Sequence, residues 1–474
     1  MLSFVALLSP PSSGHDEWFH VASIWCAQGE RDPYCQERIL EDSENGEFVL
    51  RAIIGVETRY CTTEPRTPCP PLLKGESIVK PDEGMYPPLF HLALSWLVLP
   101  SVDVSIILMR IFSALVVTVL LAIVAWLLPL RYQLVLLLIF LTVFTTEGYL
   151  LLASINPSSW VVVGVGVAWL AIHAALSPGD HSRNSRVSLF AMGLVGWGIS
   201  IGSRWDGAAF VAFVGTLTLF HVLWSKFPSQ RKRVFTAIAC TGTFIVLILQ
   251  FFTPFPPVRY FTQLFRYSDD QPDNVAFFTQ NLLNGLPNAL EALGEVPLHL
   301  GAYLPGLIVP SALILLGHFM LQTFNRENLF QTMGFVITTV TISLMFMAWH
   351  VSRNERDATE LSSRYSLPLL VFAIGWWYLQ GPSDLQTRVV GHLRTALVAS
   401  TFLFTLTIFT IAERSVDLQT FGLRFLPEGL DQWWWAWMPV GPNVVVFLAS
   451  ISFWKFLLSF HEHFTLAQSD VSVV

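Results

Sequence analysis

Nine windows without a single charged residue govern what this 474-residue chain can become. They are Ile111 to Leu130, Gly148 to Gly179, Gly207 to Ser225, Val234 to Val258, Val296 to Asn325, Asn328 to Ser352, Tyr365 to Ser383, Thr395 to Ala412 and Gln432 to Trp454. A bilayer span needs about 20 mostly apolar residues. A soluble core helix is shorter and keeps a polar stripe. The windows therefore predict an all-α polytopic membrane protein, a single polytopic domain over 1–474, with eleven spans. They fall near 107–128, 132–153, 159–176, 188–203, 207–224, 234–252, 301–321, 330–350, 366–380, 395–411 and 443–460. Charged residues make only 13% of the chain, against about 25% in soluble proteins. That balance excludes a soluble enzyme, a disordered chain and a nucleic-acid binder with a basic face.

The net charge of -7 is not spread evenly. From Ser9 to Glu83 there are 14 acids and 7 bases, and the rest of the chain holds 20 of each. The excess belongs to one polar segment, and 9–105 is expected as a large first external loop. Alternate short loops carry Arg131; Arg183 and Arg186; Lys226, Arg231, Lys232 and Arg233; Arg326; and Arg388 with Arg394. Only Asp180, Glu327 and Asp384 oppose them. By the positive-inside rule these loops and the C-terminus are cytoplasmic. The loops 9–105, 253–300 and 412–442, with the turns at Asn156 and Arg204, are then extracytoplasmic. Cys26, Cys35, Cys61 and Cys69 cluster in the first loop without zinc-ligand spacing. Disulfides persist in oxidising compartments, so the cluster agrees with an external location, with the pairing left open. Met1 to Ser9 is too short to span, and a first helix cut short is expected there. An intact version would have twelve spans. The apolar run Leu89 to Leu99 is also short, and an interfacial helix is expected.

The candidate chemistry gathers on the external side. In His15-Asp16-Glu17-Trp18-Phe19-His20 a helix would place Asp16 and Glu17 on one face with His20. Carboxylates with an imidazole activate a hydroxyl or hold a divalent cation. Acids at a helix N-terminus also simply favour its dipole. Tyr86-Pro87-Pro88 sets an extended lead into a helix. Asn156 suits an N-cap with Pro157 as first helical residue. Arg204 and Asp206 share a turn, either pairing locally or meeting a ligand. Arg110 and Arg364 begin spans from outside, where a guanidinium holds a phosphate or anchors to headgroups.

These motifs in order carry a resemblance. They are Asp16-Glu17-Trp18-Phe19-His20, Tyr86-Pro87-Pro88-Leu89-Phe90, Met109-Arg110-Ile111-Phe112-Ser113-Ala114-Leu115, Asn156-Pro157-Ser158, and Ser363-Arg364-Tyr365 with Pro368. The set resembles a bacterial multi-pass membrane family of unknown function, DUF2142, across most of the chain. That family in turn looks like the membrane glycosyltransferases of the C-type fold (GT-C). The resemblance implies an enzyme of the bacterial plasma membrane. It would transfer a sugar from a polyprenyl-phosphate donor to a cell-envelope glycan, lipid or protein on the outer face. Its partners would be membrane lipids, the donor and the acceptor, with no nucleic acid. Asp16 or Glu17 would be the base. Asp16, Glu17 and His20 would be the metal set for Mg or Mn, with no organic cofactor. His20, Tyr86, Arg110, Asn156, Arg204, Arg364 and Tyr365 would bind substrate. The rivals are a transporter or flippase for lipid-linked sugars and a non-catalytic envelope-assembly protein.

Overall fold

The computed structural model describes residues 1–8, 17–27, 51–52, 77–78, 86–99, 102–142, 146–177, 182–226, 229, 367–380 and 441–471, with scattered positions from 398 to 408. The expected spans at 234–252, 301–321 and 330–350, nearly all of 395–411, and nearly all of the loops 253–300 and 412–442 lie outside these residues.

The described elements are α1 (Leu2–Leu8), α2 (Glu17–Cys26), β1 (Arg51–Ala52), β2 (Ser77–Ile78), α3 (Pro88–Ser95), α4 (Val102–Leu127) and α5 (Leu130–Thr142). They continue with α6 (Thr146–Ala153), α7 (Pro157–Leu176), α8 (Arg183–Ser203), α9 (Trp205–Lys226), α10 (Leu367–Gln380) and α11 (Pro442–Val471). The strands form one antiparallel ladder with Arg51 opposite Ile78 and Ala52 opposite Ser77, and the other described elements are helices. Five helices among the described residues are long and apolar enough to cross a membrane: Val104–Leu127, Pro157–Leu176, Arg183–Ser203, Trp205–Leu223 and Asn443–Phe464.

Within the expected span at 132–153 the described helices are α5 and α6, and 143–145 lie outside the described residues. Two expectations change. The span placed at 107–128 begins at Val102, so Arg110 lies two turns inside α4 rather than at its mouth. The last helix runs on to Val471, about 45 Å in all, which places His461-Glu462-His463 near the edge of a hydrocarbon layer of about 30 Å and carries the residues after them beyond it.

Helix α7 is the axis of the bundle. Its sequence PSSWVVVGVGVAWLAIHAAL is apolar on every side, the pattern of a fully enclosed helix. It is buried along nearly its whole length. Its neighbour α8 is one-sided. Leu189, Gly193, Gly196, Ser200 and Ser203 are buried, spaced 4, 3, 4 and 3 residues apart, while Val187, Phe190, Leu194, Val195 and Trp197 are exposed. In lipid, apolar surface gains nothing by leaving the solvent, so helices associate through close backbone approach at small residues. A Cβ on Gly196 would stand 2.7 Å from the Gly164 carbonyl oxygen and 2.9 Å from the Ala168 nitrogen.

The contacts also fix helix directions. Gly193 meets Ile172 and Gly196 meets Gly164, so α8 runs antiparallel to α7. Gly207 meets Val161 and His221 meets His173, so α9 runs parallel to it. Ser113 bonds Trp160 near the start of α7, and Tyr132 bonds His173 near its end. Val371 meets Gly166, Phe372 packs on Trp169, and Trp376 packs on His173. Helix α10 therefore runs parallel to α7. One end of the bundle then carries Arg131, Arg183, Arg186 and Lys226. The other carries the starts of α7, α9 and α10. The 20 residues of α7 set these ends about 30 Å apart, one hydrocarbon thickness. Trp126, 81% exposed on α4, and Trp96, 80% exposed after α3, are placed as an aromatic belt would place them, near opposite ends.

Gly196→Leu should cost about 1–3 kcal/mol through overpacking against backbone, read as a lower Tm in detergent. Gly198→Leu should not, because a Cβ there meets nothing within 4 Å.

Candidate functional site

The first pillar of the site is a buried ion pair. Glu17 opens α2 and Arg110 lies on α4, and both side chains are fully buried. Arg110 donates from Nε to Glu17 Oε1 at 2.7 Å and from Nη2 to Oε2 at 2.5 Å. The Ile155 amide donates to the same Oε1 at 3.1 Å. Arg110 Nη1 donates to the Ala6 carbonyl at 2.9 Å. One ion pair thus ties α1, α2, α4 and the link before α7. The expectation that Arg110 meets a headgroup or substrate phosphate from the span's mouth is corrected by this burial. A bidentate carboxylate and a helix-end carbonyl take its fork instead.

The link leads directly to Asn156. Its backbone is extended, and its Oδ1 accepts from the Ser158 amide at 2.9 Å, with Pro157 in the first turn. This is the cap the sequence suggested, and Pro157 loses nothing there because its missing N–H would be unpaired in any case. Ser158 Oγ accepts from Arg204 Nη1 at 2.6 Å. Arg204 sits in the turn between α8 and α9. It donates from Nε and Nη2 to the two Asp206 oxygens at 2.9 and 2.6 Å. The local pair foreseen in the turn forms, and it also reaches across to α7. Arg204 lies over the Tyr86 ring at 5.9 Å from its centroid, a weak cation–π geometry.

Tyr86 leads to the second pillar. It stands edge-on to His20 of α2 and His91 of α3, with centroids 5.1 and 5.6 Å apart. His20 Nδ1 and His91 Nε2 face each other at 3.3 Å. Both rings are buried, and burial pushes the His91 imidazole down to about 4. Phe90 packs beside the pair and against Trp160 of α7. Helix α3 has only eight residues, Pro88 at its start, and Leu89, Leu92 and Trp96 exposed. It is too short to span.

Six expected site residues therefore converge at one end of the bundle: Glu17, His20, Tyr86, Arg110, Asn156 and Arg204. Asp16, Arg364, Tyr365, Cys35, Cys61 and Cys69, and the side chain of Cys26, lie outside the described residues. The first described residue of α10 is Leu367, and its direction sets that start toward the same end. His91, Ser113, Ser158 and Trp160 were missed. A lone histidine inside an apolar interfacial helix was the available signal for His91. Among the described residues no group of three or more His, Cys, Asp or Glu gathers as a metal set. Glu17 is engaged by three N–H donors, which sets it apart from the metal role expected for it.

A second polar cluster was not foreseen and lies at the opposite end. Tyr132 Oη is 2.8 Å from His173 Nδ1 and donates to Ser177 Oγ at 2.9 Å. His173 Nε2 is 3.2 Å from His221 Nδ1. Arg131 Nη2 donates to the Leu379 carbonyl at 2.6 Å. These bonds join α5, α7, α9 and α10.

A family model described as "Predicted membrane protein (DUF2142)" matches residues 1–373. No curated protein and no solved structure matches.

Breaking a buried pair strands the surviving charge. Arg110→Ala or Glu17→Ala alone should cost about 3–5 kcal/mol. The double change Glu17→Met with Arg110→Met should recover much of that loss in thermal unfolding of the purified protein.

Proposed function

The chain belongs to the DUF2142 family of predicted membrane proteins, and we propose that it is a glycosyltransferase of the bacterial plasma membrane. It takes sugar from a polyprenyl phosphate and passes it to a cell-envelope acceptor at the extracytoplasmic face. The supporting observation is the convergence of Glu17, His20, Tyr86, Arg110, Asn156 and Arg204 at the bundle end opposite Arg131, Arg183, Arg186 and Lys226. By the positive-inside rule the basic end faces the cytoplasm, so the polar band faces out. The C-terminus is then cytoplasmic. His463 of α11 bonding Gln133 of α5 supports that assignment.

The proposed reaction inverts the anomeric carbon. A carboxylate takes the proton of an acceptor hydroxyl, the oxygen attacks, and polyprenyl phosphate leaves with the bonding pair. Glu17 is occupied by Arg110 and the Ile155 amide. The base role therefore passes to its sequence neighbour Asp16, and Glu17 becomes the anchor that positions the start of α2. The leaving phosphate ester needs positive charge more than a general acid. Arg110 and Arg204 have carboxylate partners of their own. The phosphate is assigned to Arg364, with Tyr365 beside it and a divalent cation as helper.

The rival reading, a transporter of lipid-linked sugars, draws on the part-buried Tyr132–His173–His221 chain, since ionisable groups within spans often mark substrate or proton paths.

With a polyprenyl-phosphate sugar and envelope acceptors, Asp16→Asn should lower transfer by about 10²–10⁴-fold, the usual yield of general-base catalysis. Its Tm should stay near wild type. Wild-type activity in Asp16→Asn removes the base assignment. Vesicle uptake of donor without product favours the transporter.

A further inference from the structure

We propose that the exposed face of α8 is a docking surface for one anionic phospholipid of the cytoplasmic leaflet. Arg183 and Arg186 hold its phosphate, and its acyl chains lie along Val187, Phe190, Leu194 and Trp197. This surface is at the opposite end of the bundle from the proposed transfer site, and it stands whether or not the chain transfers sugar.

Helix α8 divides into two faces. Leu189, Gly193, Gly196, Ser200 and Ser203 are buried. Arg183, Arg186, Val187, Phe190, Leu194 and Trp197 are exposed. At 3.6 residues per turn the exposed positions fall within an arc of about 100°. The two arginines therefore continue the apolar stripe instead of standing apart from it. From Arg183 to Trp197 the stripe runs about 21 Å along the axis, one leaflet of a bilayer about 40–45 Å thick with its headgroups. The 21 residues of α8 rise about 30 Å in all. A helix that just crosses the hydrocarbon sets its first turn at the level of the inner-leaflet phosphates.

Charge complementarity decides the occupant. Residues three apart on a helix are surface neighbours, and a guanidinium binds phosphate oxygens in bidentate fashion. The first turn of α8 holds no acid. Lys226, also exposed, ends α9 at the same end of the bundle. In sequence, 177–186 and 226–233 carry six bases against one acid, Asp180. Basic clusters of this size just inside a span attract anionic lipid, whereas a zwitterionic headgroup brings a cation of its own. The residues below the arginines set the source of the phosphate. A free phosphate meets the guanidinium groups alone, and a lipid also covers the apolar stripe. A second copy of the chain fits poorly. Both copies share one orientation in the membrane, so a two-fold contact through this face would set each arginine pair against its like.

The test uses the purified full-length chain, delipidated in a neutral detergent, with lipid adducts counted by native mass spectrometry. The probes are dioleoylphosphatidylglycerol, dioleoylphosphatidylcholine with the same chains, and inorganic phosphate. Wild type should bind the glycerol lipid about 10-fold or more tighter than the choline lipid, and added salt should weaken that preference. Inorganic phosphate should not displace it. Arg183→Gln with Arg186→Gln should weaken binding of the glycerol lipid by about 30-fold, about 5-fold for each charge. If the double variant is not monodisperse, the two single variants should each show the smaller loss. Phe190→Ser with Leu194→Ser should weaken both lipids together. Neutralising Arg231, Lys232 and Arg233 should cost less than the α8 double variant. Equal binding of the two lipids, displacement by inorganic phosphate, or unchanged binding in the arginine variants would overturn the proposal. So would a larger loss from the 231–233 change, or a wild-type dimer that anionic lipid splits into monomers.

Discussion

An arginine two turns inside an apolar helix has to find a carboxylate, and much of the polar end of this molecule is built around that requirement. In hydrocarbon, Arg110 without a partner would cost several kcal/mol. Glu17 answers it with both oxygens, Arg110 Nη1 donates to the Ala6 carbonyl, and Glu17 Oε1 also accepts from the Ile155 amide. The consequence is topological. Helix α2 must start beside the third turn of α4, and the chain between α6 and α7 must pass close enough to donate. Such a pair adds little net stability once desolvation is counted. It contributes uniqueness of arrangement, because any other packing of α2 leaves a buried charge alone.

From that anchor the band extends through short, directional bonds. Ile155 is followed by Asn156, which caps α7 and sets Ser158 for Arg204. Arg204 stacks over Tyr86, and Tyr86 stands against the two histidines. Each step uses a residue at the end of a helix, where backbone groups and charged side chains reach the membrane boundary. The interior of the same helices works by another rule. There Gly164 and Gly196 bring α7 and α8 together through backbone contact, and Trp169, Phe372 and Trp376 fill the remaining volume.

The parts of this architecture that rest on composition were legible in the sequence. Charge-free windows located α4, α7, α9, α10 and α11, because a span is a property of about 20 neighbouring residues. The alternation of Arg131, Arg183, Arg186 and Lys226 announced a basic end, and the helix directions agree with it. Pro157 and Asn156 announced the start of α7, because capping is local. Pairings between distant residues were not legible. Glu17 and Arg110 are 93 positions apart, and each looked like a free candidate for chemistry. His91 looked like an incidental residue of an interfacial helix, and it became visible only when α3 packed beside α2. Tyr132, His173 and His221 were hidden in the same way, as single polar residues in three separate spans.

That contrast bears on how a membrane protein of this kind can divide its charged residues. A guanidinium buried against a carboxylate has no charge to lend to a passing phosphate. Arg110, and to a lesser degree Arg204 with Asp206, are committed to holding the framework. The acids follow the same logic. Of the 14 acids between Ser9 and Glu83, Glu17 is spent on structure. If the chain transfers sugar, its reactive carboxylate must be one whose charge is not neutralised by a fixed partner. In the proposed reaction that role goes to the neighbouring position in sequence, Asp16. It stands next to a residue whose location is fixed by three donors, and proximity to a rigid anchor is what makes a general base effective.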